Sequence, residues 1–234
     1  MYKINMPFNH LEDTLDNEQV FPYLEFCGEL QEPTRTVLGY TLDIASHLHS
    51  QGLSDKYSVF GGYAVLSHLM DKFGDSVART WRGSTDIDMG GNCDVFNSIR
   101  AGYHLSNSLH SPNVDNKRTL KLDLDGEREC KIDFYCDNPE KKYGPSQINT
   151  HFGIPLRVVK PEFIVKGKLK TPIGEFQHYG DILGMLAVLE GKGYSPKDIC
   201  NVFNHEEAEE LHTRMVVTDH EFRKDRFGIF PNSR

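Results

Sequence analysis

Three aspartates, Asp86, Asp88 and Asp133, are the residues of this chain whose types and spacing best suit chemistry. In an extended segment successive side chains leave opposite faces, so Asp86 and Asp88 emerge together while Ile87 and Met89 turn the other way. Two neighbouring carboxylates repel each other. A hard divalent cation such as Mg2+ or Mn2+, which takes carboxylate oxygen, makes the arrangement favourable, and the chemistry it suggests is the handling of a phosphate through metal. Asp133 lies in Cys130-Lys131-Ile132-Asp133-Phe134-Tyr135, where Cys130, Ile132 and Phe134 share one face and Lys131, Asp133 and Tyr135 the other. The expectation is that the two strands pair in one sheet and bring the three carboxylates together.

The elements that must position these acids are readable around them. Tyr57 to Phe60 is an apolar run ending at Gly61-Gly62, which reads as a strand entering a tight turn where a backbone or a phosphate can approach closely. From Tyr63 the apolar positions Ala64, Val65, Leu66, Leu69, Met70 and Phe73 suit a buried helix. Thr119 to Phe134 reads as a hairpin about Asp125-Gly126, a favoured two-residue turn. Upstream, Val37, Leu38, Thr41, Leu42, Ala45 and Leu48 recur at helical spacing over Thr34 to Ser50, with Thr34 as cap and Gly52 as stop. Gly90-Gly91-Asn92 reads as a turn, Asp94 as the cap of a helix carrying Val95, Phe96, Ile99 and Tyr103, and Ser106 to Lys117 as a loop near the site. Ile154 to Val159 adds a strand.

Beyond residue 158 the pattern turns helical. Phe176, Tyr179, Ile182, Leu183, Leu186 and Leu189 form one stripe over Glu175 to Glu190, Ser195-Pro196-Lys197-Asp198 reads as a capping box, and His205 to Met215 as a charged helix. The fold class expected is α/β in the α+β sense: a small mixed sheet flanked by helices over residues 1–158, with an N-terminal arm and helix, and a helical region over residues 159–234.

Gly61-Gly62, a helix, the Ser84-x-Asp86-x-Asp88 run and the later strand aspartate Asp133 resemble the polymerase-beta-like nucleotidyltransferase superfamily. More narrowly they resemble the small nucleotidyltransferases of abortive-infection and toxin–antitoxin systems. Val159 to Leu169 is similar to the family helix that offers a lysine to the nucleotide, and His178 to Leu183 to the following helix with its inward aspartate. The resemblance implies transfer of a nucleoside monophosphate from an NTP such as ATP to an acceptor hydroxyl. It implies two Mg2+ or Mn2+ ions on Asp86, Asp88 and Asp133, with Asp133 also taking the acceptor proton. Gly61 and Gly62 would approach the phosphates, Ser84 would donate to one, Lys168 and Arg82 would neutralise departing pyrophosphate, and Asp181 would orient Lys168. An RNA 3′ end, tRNA included, is the leading acceptor by the same resemblance. A protein hydroxyl is second, and an antitoxin or other regulatory protein is the implied partner. A non-catalytic nucleotide-binding protein on the same fold is the alternative, and retention of all three acids speaks against it.

Composition bounds these readings. A net charge of −8 over 234 residues argues against a broad basic nucleic-acid surface while leaving room for a local groove. No apolar run approaches the ~20 residues of a membrane span. Five cysteines with no Cys-x-x-Cys pair predict reduced thiols and a cytoplasmic protein. His104, His110, Cys130 and Cys136 lack the short spacing of a zinc site, and no Walker loop, dinucleotide fingerprint or nucleophile elbow is present.

Overall fold

The computed structural model describes residues 26, 28–81, 83–103, 109–110, 117–123, 129–171 and 176–214. Most of the N-terminal arm, the Asp125-Gly126 turn and the tail from Asp219 therefore lie outside the described residues. The chain divides into two compact units, Met1–Lys160 and Pro161–Arg234.

The first unit is built on a seven-stranded mixed sheet in the order β3-β4-β5-β2-β1-β7-β6. Its elements run α1 (Thr34–Ser50), β1 (Tyr57–Phe60), α2 (Gly61–Phe73), a 3-10 turn (Asp75–Arg79), β2 (Asp86–Gly91), α3 (Cys93–Gly102), β3 (Leu109–His110), β4 (Lys117–Asp123), β5 (Glu129–Cys136), α4 (Pro139–Tyr143), β6 (Ser146–His151) and β7 (Ile154–Val159). Central β2 runs parallel to β5 and antiparallel to β1, which is in turn parallel to β7. Alternation sorts the two faces as the sequence pattern requires. Ile87, Met89, Leu120, Ile132 and Phe134 are buried with Val59, Leu156 and Val158, and Phe96 of α3 closes on Phe134 with ring centroids 5.4 Å apart.

Several local expectations are corrected. Helix α2 includes both glycines of the expected tight turn and starts at Gly61, with Phe60 at its N-cap. Thr34 is the first residue of α1, whose cap position is Pro33 with no side-chain cap. Gly90 and Gly91 are not a turn but the buried end of β2. A Cβ on Gly91 would lie 3.0 Å from the Lys56 carbonyl and 3.1 Å from Val95, and one on Gly90 would lie 3.2 Å from Pro139. Strand residues without side chains let α3 and α4 close down on the sheet. Asn92, not Asp94, caps α3, its Oδ1 accepting the Val95 N–H at 3.0 Å. The expected loop Ser106 to Lys117 contains β3, which pairs with β4.

Helix α2 is tied to the β6–β7 edge by buried polar groups. His68 Nε2 lies 2.8 Å from the Val159 carbonyl, which only accepts, so Nε2 carries the hydrogen and Nδ1 accepts from the Asn149 amide at 3.2 Å. The same amide donates to Ser67 Oγ at 3.0 Å, and Ser67 Oγ lies 2.8 Å from His151 Nε2. All four residues are buried. A satisfied network of this kind holds a helix to one position, because each buried group left unpaired costs about 1–3 kcal/mol.

The second unit contains α5 (Pro161–Leu169), α6 (Phe176–Gly191), α7 (Pro196–Val202) and a further helical stretch at 205–214. The capping box is present: the Asp198 N–H donates to Ser195 Oγ at 3.2 Å and Asp198 Oδ2 accepts the Ser195 N–H at 3.0 Å. Arg214 donates to the carbonyls of Lys168 and Leu169 at 3.1 and 2.6 Å and to that of Thr171, which satisfies the open end of α5. Among the described residues no helix is long and apolar enough to cross a membrane.

Candidate active site

The register of the sheet sets the acids side by side. Asp88 pairs with Asp133 across the parallel β2–β5 ladder and with Phe60 across β1, while Thr119 of β4 stands opposite Asp133. Partners in register share a face, so Thr119, Asp133, Asp88 and Phe60 form one row across four strands, with Asp86 one step along β2. One carboxylate oxygen from each of Asp86, Asp88 and Asp133 lies within 4.8 Å of the others, and all three residues are half-buried. Three anionic oxygens converging from two strands are a donor set that a hard divalent cation fits.

Each acid is held by a neighbour. Ser84 donates from Oγ to Asp86 Oδ1 at 3.0 Å and to the Asp86 carbonyl at 3.2 Å. Asp88 lies against the start of α2: a Cβ built on Gly61, whose φ is +67°, would sit 2.0 Å from Asp88 Oδ2 and 2.8 Å from its Cγ. Glycine is required here twice over, by backbone conformation and by the carboxylate on its Cα. Asp133 is held at both oxygens, Oδ1 by the Thr119 hydroxyl at 2.7 Å and Oδ2 by the Lys117 ammonium at 2.5 Å. Burial works against the charged form of Lys117, but its contact with Asp133 and the charges of Tyr135, Asp133 and Asp88 outweigh burial and hold the ammonium above the ordinary lysine range.

An aromatic wall stands beside the acids. Phe60 and Tyr143 stack with centroids 3.9 Å apart, Tyr135 packs against both, and Lys142 lies over the Tyr135 ring at 4.6 Å. Burial pushes both tyrosine hydroxyls up, and the Asp88 carboxylate adds to that effect at each. On the opposite face of β5, burial and then the charge of Asp86 push the Cys130 thiol up to about 12, which leaves it a packing group rather than a nucleophile.

Of the residues the sequence singled out, Gly61, Gly62, Ser84, Asp86, Asp88 and Asp133 belong to the first unit, and all but Gly62 are tied to the acidic cluster by the contacts above. Gly62 is a buried residue of the first turn of α2. Arg82 lies outside the described residues. Lys168 and Asp181 belong to the second unit, where Nζ meets Oδ2 at 2.9 Å with Asp181 2% exposed. Sequence reasoning missed Thr119 and Lys117. The signal that finds them is the pairing of apolar with apolar, which sets Leu120 opposite Ile132 and Leu122 opposite Cys130 and carries Thr119 to Asp133.

No family model matches the chain, and no curated protein does. Among solved structures it is similar to the antibiotic-resistance factor ANT(2'')-Ia in solution, at 14% identity and a TM-score of 0.49 over 82% of this chain and 99% of that one. It is also similar to an antigenic nucleotidyltransferase-like protein from Paracoccidioides brasiliensis, at 14% identity and a TM-score of 0.45 over 78% of this chain and 90% of that one. A third is the Megavirus polyadenylate synthase, at 12% identity and a TM-score of 0.34 over 83% of this chain and 37% of that one. At this distance the reading of the site rests on the chain's own residues.

Proposed function

We propose that the protein is a metal-dependent nucleotidyltransferase that moves a nucleoside monophosphate from an NTP to an acceptor hydroxyl and releases pyrophosphate. The observation that carries this reading is the convergence of Asp86, Asp88 and Asp133, one oxygen of each within 4.8 Å of the others, against the glycine that opens α2. These three residues would hold the divalent metal, Mg2+ or Mn2+, which supplies charge neutralisation at the phosphates and activation of the attacking oxygen.

The chain's own groups supply the rest. Gly61 and the first turn of α2 present backbone N–H groups and the positive end of the helix dipole, which suits a phosphate anion. Ser84 keeps Asp86 aimed through its hydroxyl. Asp133, fixed at both oxygens, is the natural acceptor for the proton of the attacking hydroxyl. Lys168 carries the role the resemblance gives it, neutralising the departing pyrophosphate, with Asp181 orienting its ammonium.

An RNA 3′ end, tRNA included, is the first acceptor class to test, a protein hydroxyl the second, and a toxin restrained by a partner protein the implied setting. The test is incubation with each α-labelled NTP, Mg2+ or Mn2+ and total RNA, with Asp86→Asn, Asp88→Asn and Asp133→Asn in parallel, and label followed on RNA and on protein separately. Metal-dependent label that all three changes abolish supports the reading and identifies the acceptor class. NTP binding with no label on either acceptor, for any NTP, would instead favour a binding protein.

A further inference from the structure

We propose that Lys117 is a built-in second positive charge of the acidic cluster, which therefore binds a single divalent ion tightly, on Asp86 and Asp88. This rests on the reading that the acidic cluster holds metal; it narrows the ligands to Asp86 and Asp88 and replaces the two ions that the resemblance implies with one ion and one ammonium.

The contacts point to this division of labour. Lys117 Nζ lies 2.5 Å from Asp133 Oδ2, and the two side chains are only 20% and 15% exposed. The other oxygen of Asp133 takes the Thr119 hydroxyl at 2.7 Å. Both oxygens of Asp133 are thus engaged by donors from β4, one of them charged, whereas Asp86 Oδ1 takes the neutral Ser84 hydroxyl. Lys117 is also fixed from the side, 5.7 Å from the centroid of the Tyr135 ring, and β4 sets it directly opposite Tyr135 in the ladder. An ammonium held this close to one carboxylate removes most of the negative charge that would attract a dication to that oxygen, and it repels any ion that shares the carboxylate. In a half-buried site these effects are only weakly screened by salt.

A salt bridge that merely braces the hairpin would leave the number of bound ions unchanged, so ion stoichiometry separates the two roles. The experiment is a Mn2+ titration of the full chain followed by electron paramagnetic resonance, without nucleotide or acceptor, on wild type, Lys117→Met and Lys117→Arg. Wild type is expected to bind one Mn2+ tightly. Lys117→Met should bind two, the second within roughly ten-fold of the first, and Lys117→Arg, which keeps the charge, should stay at one. Lys117→Gln replaces Lys117→Met should the latter melt below the assay temperature. Two comparable ions in wild type, one ion in the neutral variant, or no Mn2+ bound by any of the proteins would each overturn the proposal. None of these readouts uses turnover, so the transfer reaction stands or falls separately on the labelling assay.

Discussion

Replacing Gly61 with alanine tests the junction between α2 and the acids most directly. Two separable effects follow from the geometry. A φ of +67° costs an ordinary L-residue about 1–2 kcal/mol, and that cost falls on folding. The added Cβ would also stand 2.0 Å from Asp88 Oδ2, and reaching even a 3.0 Å contact requires a relative shift of about 1 Å. A displacement of about 1 Å at a reacting centre costs on the order of 100-fold in rate. Gly52→Ala is the internal control, because Gly52 has a φ of +69° with nothing within 4 Å of its Cβ position. Both variants should lose about 1–2 kcal/mol in urea unfolding. Only Gly61→Ala should also weaken Mn2+ binding, by roughly ten-fold or more, and depress nucleotidyl transfer by about 100-fold. Mn2+ affinity in Gly61→Ala equal to that of Gly52→Ala would refute the inference that Gly61 is the seat of Asp88.

Two other perturbations have worked signs. Burial holds His151 below its ordinary pKa, against a smaller opposing effect of Asp75 and Asp71, so the folded chain resists a proton that the unfolded chain accepts. Its contribution is full above about pH 6.5 and is lost as pH falls through that value toward the folded pKa; melting temperature should drop from pH 7.5 to 5.5, with a flatter slope in His151→Gln, and an equal slope in both would contradict the assignment. In the second unit, Lys168→Met leaves Asp181 with 2% exposure and without its ammonium, a loss of about 3–5 kcal/mol in urea unfolding, whereas Lys168→Met with Asp181→Asn should be less destabilised than the single change. Equal losses in the single and double variants would show that the pair contributes little.

The sequence carried the acids and the strands that hold them, because both depend on local alternation. Asp86, Asp88 and Asp133 stand on polar faces whose apolar reverse, Ile87, Met89, Ile132 and Phe134, is buried as the pattern requires. What it hid was set by contacts distant in the chain. A closed two-residue turn at Asp125-Gly126 would pair Asp123 with residue 128 and put Arg118 opposite Asp133. The observed pairing of Asp123 with Glu129 leaves five residues, 124–128, between them and puts Thr119 there instead. Turn chemistry alone thus pointed one residue away from the hydroxyl and ammonium that hold the third acid. Gly90-Gly91 misled in the same way, since the reason for glycine was the closeness of Pro139 and Val95 rather than a bend. The Ser67–His68–Asn149–His151 network joins residues more than eighty positions apart, and no local pattern announces it.

The pairing of Asp88 with Asp133 has a consequence for how the site comes into being. Their strands are parallel neighbours with a period of two, so sliding β5 by a single residue would set Asp88 against Ile132 or Phe134 and turn the third carboxylate into the core. The complete cluster therefore exists only in the observed register: a chain slipped by one residue keeps Asp86 and Asp88 together on β2 but loses Asp133 to the core. What register decides is thus the fate of the third carboxylate, and with it the place of the Thr119 and Lys117 donors that hold it.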